Sequence, residues 1–276
     1  MRYPRCTRDL AALAAPDTVP ATMTSTATYE APIARRRATA LEPTRRTWLA
    51  FGSVPAMWLC YWGEPVLREW SVLLSLLLFL GGGCLLVATV LPLTVTRAEG
   101  RNLSGLGITR HRWRWALLVA LVSVGSMPAL LARADADGLD PSIHLLYNLT
   151  ALWEPLFLFG WLQLSFEEAF GFLTAPVLTA IAFGIYHLGS VPVGTAAGFA
   201  AFGLVLGALF ALTNNLLSMW PLTWSISSGI GSIDAGLGFG WDAVAVGVVV
   251  LLVQLVLFVA FASAGRGYSR HRPRGR

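Results

Sequence analysis

The sequence predicts an all-α fold: a polytopic membrane bundle of about eight transmembrane helices. Three observations carry this. Of 276 residues, 55% are hydrophobic and only 13% charged, and mean hydropathy is +0.63, more apolar and less charged than a soluble domain. Apolar runs recur along the chain at lengths near the ~20 residues with which a helix crosses about 30 Å of hydrocarbon. These runs are too long, and alternate too little, for the strands of a membrane barrel, and hydrocarbon holds no water to satisfy an open sheet edge.

Residues 1–46 are rich in Ala, Thr, Pro and Arg, lack an apolar run of signal-peptide length and cannot bury enough surface to fold alone. A disordered cytoplasmic tail is expected there, with Met23 an alternative start. Apolar segments follow at 47–63, 71–96, 115–132, 145–164, 172–189, 194–212, 216–232 and 242–264. The bundle therefore spans 47–264, and 265–276 form a basic C-terminal tail. All 20 basic residues are arginine; eight precede residue 47 and five follow residue 265. The loop from Arg97 to Arg114 is also arginine-rich, whereas "RADADGLD" after the third segment is mostly acidic. Basic loops stay cytoplasmic, so an even number of crossings and two cytoplasmic termini, in an inner-membrane protein, agree with one another. Membrane lipids are the expected partners. Nucleic acid is not, because no folded soluble domain presents the basic residues to it.

In the sixth segment Gly194, Gly198, Gly203 and Gly207 make two small-xxx-small spacings, a signal for close helix packing. Cys6, Cys60 and Cys84 are odd in number and form no CxxC, which excludes a disulfide framework and a thiolate metal site. No internal repeat of the kind secondary transporters carry is evident.

Few ionisable residues fall within the spans. Glu154 lies in the fourth segment, inside "WEPLFLFGWLQLSFEEAFG", and His187 near the end of the fifth. A carboxylate at bilayer depth costs at least about 2.5–3.5 kcal/mol, so its presence points to function. Two readings of the pair stand side by side. In one, His187 hydrogen-bonds Glu154 and pins two helices together, worth about 1 kcal/mol. In the other, the carboxylate deprotonates water while the imidazole holds a metal or the attacked carbonyl. Glu167 and Glu168 read as a solvated boundary after the fourth segment, and His111 and His271 as exposed. Pro155 is expected to kink the fourth helix.

These residues resemble the CPBP family of CAAX-type prenyl-protein proteases and bacteriocin-processing enzymes, eight-helix intramembrane metalloproteases. In "FGIYH", Phe183 and His187 match the family's FxxxH. Thirty-three residues earlier, about the separation expected in the family, stands Glu154, and "EPLFLFGWLQ" parallels EExxxRGxLQ. Glu154 and Gly160 fit; Pro155 replaces the second glutamate and Phe159 the arginine. The third signature, HxxxN or HxxxD after a Trp-Pro pair, falls on Ile226 and Ile230 when anchored at Trp220 and Pro221, or on Ser225 and Gly229 one residue earlier. Neither register supplies a ligand. The likeness covers about 100–232, including the lead-in "LSGLGITRHR".

The resemblance implies Glu154 as general base, His187 as metal ligand or oxyanion partner, and zinc held by Glu154 and His187. His144, Asn148, Asn214 and Asn215 are the available substitutes for the missing ligand. The implied function is hydrolysis of a peptide bond in a membrane-associated peptide or protein. The lost signature residues keep two alternatives open: a non-catalytic binding or immunity protein on the same scaffold, and a transporter subunit.

Overall fold

Local capping chemistry sets where the helices begin. The computed structural model describes residues 41–224, 228–234, 236 and 238–270; there, ten helices and no strand form. The N-terminal segment up to residue 40, Ser225, Ile226 and the end of the C-terminal tail from residue 271, with His271, lie outside the described residues. Helix α1 (Arg45–Arg68) starts behind Thr44, whose hydroxyl accepts from the Thr47 N–H while the Thr47 hydroxyl accepts from the Thr44 N–H. This reciprocal box starts the helix two residues inside the expected tail. Ser71 caps α2 (Val72–Ala98). Helix α3 (Trp113–Ala136) follows, then Asp140 accepts from the N–H groups of Ser142 and Ile143 and Pro141 opens α4 (Pro141–Thr150).

The fourth apolar segment is not one helix. After α4 the chain breaks at Ala151 and Leu152 and restarts as α5 (153–170). Gly171, at φ 87°, turns it into α6 (Thr174–His187). Helix α7 (Val193–Thr213) ends on Asn214, at φ 49°, and Asn215 caps α8 (Leu216–Leu222). Short α9 (Ser228–Asp234) then divides the seventh segment in two, and α10 (Trp241–Arg270) runs past the expected end at 264.

The molecule is an all-α membrane bundle. Among the described residues four helices are long and apolar enough to cross a bilayer: Val72–Ala98, Trp113–Ala136, Val193–Thr213 and Trp241–Ala264. Their outward faces are apolar, with Leu73, Leu77, Leu121, Val122, Val249 and Val256 all exposed. Such a belt is ordinary against lipid and not against water. The core lies around α5, where Leu156, Phe157, Phe159 and Trp161 are fully buried against Met57, Phe183 and Phe210. Phe159, at the family's arginine position, packs its ring 5.7 Å from that of Phe210.

Helices α6 and α7 pack closely, but only half of the glycine pattern does this. A Cβ on Gly203 would stand 2.8 Å from Phe183 Cδ1 and 3.2 Å from Ala180 Cα, whereas one on Gly194 or Gly198 meets nothing within 4 Å. Gly203→Ala is therefore expected to destabilise the bundle by about 1–3 kcal/mol through overpacking. Gly198→Ala should be neutral or stabilising by up to about 1 kcal/mol, as alanine replaces glycine in a helix. Denaturant unfolding of the two variants in one detergent gives opposite signs if this packing is right, and equal shifts if it is not.

At the far end of α5 sits a buried arginine. Arg46 is only 2% exposed. Its Nε donates to Ser165 Oγ at 3.0 Å, one Nη to Glu99 Oε2 at 2.9 Å and the other to the Gly105 carbonyl at 3.2 Å. Its guanidinium carbon lies 5.0 Å from the centre of the Trp161 ring. Arg101 bridges Glu99 and Glu168, and the hydrogen bonds it donates to Glu168 push its already high pKa further up. Glu168 is thus an exposed boundary residue that also ties α5 to this loop.

Candidate active site

The break before α5 follows from Pro155. A proline inside a helix removes one hydrogen bond and clashes with the carbonyl four residues earlier, whereas in the first turn neither cost arises. The chain takes the second course, so the expected kink is a complete break with Pro155 in the first turn of α5. Glu154 precedes it in that turn, where backbone N–H groups have no helical acceptor and negative charge is favoured.

Glu154 is 4% exposed. The Tyr186 hydroxyl donates to its Oε1 at 3.3 Å, and the Ser228 hydroxyl donates to its Oε2. His187, 5% exposed, stands at the C-terminal end of α6. Its Nδ1 lies 2.9 Å from the Phe183 carbonyl; a carbonyl only accepts, so Nδ1 carries the proton and Nε2 of the neutral ring keeps its lone pair. The ring stacks on Phe199 at 4.2 Å and touches Tyr186 at 4.4 Å and Tyr61 at 4.7 Å.

Helices α5 and α6 form an antiparallel hairpin, which brings the first turn of α5 and the last turn of α6 to the same end. Glu154 and His187 are there together. They are not joined directly: among the described residues no hydrogen bond or ion pair links them, so the reading in which His187 hydrogen-bonds Glu154 does not hold. Successive helical residues point about 100° apart, and of these two it is Tyr186 that bonds the carboxylate. The Tyr186 ring lies against that of His187, with ring centres 4.4 Å apart.

His144 and Asn148 lie one turn apart on α4; the Asn148 side chain donates to the His144 carbonyl at 2.8 Å, and His144 Nδ1 is 3.4 Å from Ser232 Oγ. Asn215 donates to the Thr109 and His111 carbonyls, each at 3.0 Å, and so docks the "LSGLGITRHR" loop. It and Asn214 follow α7, about 30 Å of helix from the end where α6 hands over to α7. Glu168 is at the opposite end of α5. Ile230 and Gly229 bring no donor.

Sequence reasoning missed Ser228 and Tyr186. Ser228 and Ser232 stand four apart on α9, the spacing of the third signature, in a register that neither anchoring selects. The signal was the serine cluster "SISSGIGS" after the Trp-Pro pair. Zinc was expected on Glu154 and His187, and a zinc site normally takes three protein ligands. Among the described residues no group of three His, Cys, Asp or Glu side chains is placed for one, and both Glu154 oxygens accept from hydroxyls. The donors present among the described residues do not fit zinc.

Fold and site together define a membrane helical bundle with a buried carboxylate–hydroxyl centre at one end of an antiparallel helix hairpin. Residues 141–226 match the family model described as Type II CAAX prenyl endopeptidase Rce1-like, in agreement with the resemblance to CAAX-type proteases read from the motifs. The match includes both Glu154 and His187. No curated protein and no solved structure matches the chain.

Proposed function

We propose that this protein is an intramembrane endopeptidase that hydrolyses a peptide bond of a membrane-associated peptide or protein. The observation that carries the reading is Glu154: a buried carboxylate, oriented by two hydroxyl groups, in the first turn of a helix inside the stretch that matches the Rce1-like family. Glu154 accepts the proton of the attacking water and returns it to the departing amine. His187, with Nδ1 tied to the Phe183 carbonyl, has Nε2 available as a second proton-transfer or hydrogen-bonding centre. The substrate enters from the lipid side. An apolar groove of about 490 Å³ runs between α1 and α6, lined by Phe51, Val54, Trp58, Leu178 and Ile181. Leu188, one residue from His187, also lines it, and its carbonyl accepts from Trp58 Nε1 at 2.7 Å. The groove suits the side chains of a membrane-inserted segment.

The test is hydrolysis of quenched fluorogenic peptides anchored in liposomes that carry the protein. Wild type is expected to cleave, and His187→Gln to cleave about 10²–10⁴-fold more slowly, the usual contribution of such a group. A folded wild type that cleaves no anchored peptide sinks the proposal. The broken helix at Ala151 and Leu152 favours one second reading, since half-helix ends bind substrates in transporters; it requires pH-dependent uptake into the same liposomes without cleavage.

A further inference from the structure

We infer that the surface where α3 begins binds the phosphate head-group of an anionic membrane lipid; this does not depend on the endopeptidase reading. The consecutive residues Arg110, His111, Arg112, Trp113, Arg114 and Trp115 are all exposed. Among the described residues none of these arginines makes an ion pair, whereas Arg46, Arg68, Arg101 and Arg133 each face a carboxylate. No acidic residue occurs between residues 100 and 134, nor between 193 and 233, the stretch that supplies α7 and α8 beside the patch. Its positive charge is therefore left for a partner to neutralise.

Two spans place the patch at the membrane boundary. The apolar helix α3 starts at Trp113 and α7 ends at Thr213, and the Arg112 guanidinium donates to the Leu212 carbonyl in the last turn of α7. Head-group phosphates lie at this level, where tryptophan settles with its ring toward acyl chains and its N–H in the polar layer. Trp113 and Trp115 are 56% and 62% exposed and flank Arg114 in sequence, whose guanidinium carbon lies 5.7 Å from the centre of the Trp113 ring.

The loop before α3 is also held. Asn215 ties it through the Thr109 and His111 carbonyls, the His111 N–H donates to Thr109 Oγ1 at 3.1 Å, and Arg112 takes a left-handed backbone, φ 51°. Charge that serves only to orient a span during insertion needs no such fixing. A guanidinium offers a fork of N–H donors that matches phosphate oxygens, and a fork positioned beforehand loses less freedom on binding.

The experiment is native mass spectrometry of the full-length protein in detergent with equal amounts of phosphatidylglycerol and phosphatidylcholine, with melting followed in each lipid and in inorganic phosphate. Wild type should retain phosphatidylglycerol about 20-fold over phosphatidylcholine, and Arg110→Gln/Arg114→Gln should lose about fivefold of that preference per arginine. Arg133→Gln, at the other end of α3, should keep it. Phosphatidylglycerol should raise the melting temperature of wild type and not of the double variant, and inorganic phosphate should raise neither. If the double variant does not fold, Arg110→Gln alone, expected to lose about fivefold, takes its place. Equal retention of the two lipids by wild type, or an undiminished preference in the variant, overturns the site. Inorganic phosphate stabilising wild type as much as phosphatidylglycerol overturns the lipid and assigns the patch to a free anion.

Discussion

Glu154→Gln is expected to lower cleavage of a membrane-anchored peptide by about 10³-fold or more while leaving the bundle folded. The amide has the shape of the carboxyl group but cannot accept the proton that the attacking water must lose. Its effect on stability is small for a structural reason. Tyr186 and Ser228 donate to opposite oxygens, and a hydroxyl that faces the new amide nitrogen can rotate to accept from it. The exchange should cost about 1 kcal/mol or less. Turnover in liposomes and melting in detergent, measured on one preparation, decide the matter. Turnover near the wild-type level in the folded variant would remove Glu154 from the chemistry and favour a binding protein on this scaffold.

Arg46→Met should produce the largest loss of stability of any single substitution away from the site, about 3 kcal/mol. Arg46 supplies three hydrogen bonds at once, to Ser165, Glu99 and Gly105, and covers the face of Trp161. Methionine fills part of the volume and none of the polar contacts. Glu99→Gln should cost less, because Glu99 keeps 28% of its side-chain exposure, so water replaces part of what the pair provides. Denaturant unfolding of the two variants and of the double variant measures the coupling, expected at about 0.5–3 kcal/mol. Additive effects would mean that the arginine stabilises through packing alone.

The two predictions separate what was legible in the chain from what was not. Glu154 and His187 were legible because an ionisable residue inside an apolar run is conspicuous, and because FxxxH with a glutamate 33 residues earlier is a pattern in one dimension. Their presence at one end of the bundle follows from the hairpin, which the sequence already implied. Pro155 was legible as a disturbance and misjudged in kind. A kink and a break look alike in sequence, and the choice depends on whether neighbouring helices pack against a second helix start. Arg46 was counted with a basic tail. Nothing local distinguishes an arginine in water from one whose partners come from 53, 59 and 119 residues away.

Composition and apolar run length alone determined that this is an all-α membrane bundle, because hydrocarbon tolerates few backbone arrangements and the chain's solvent preference is written in every residue. Spacing alone singled out an acid and an imidazole. Only the tertiary structure decided what those groups touch. The serine that holds Glu154 is 74 residues further along, delivered by a short helix. Such a meeting is set by how helices pack, which leaves no period in the sequence to read.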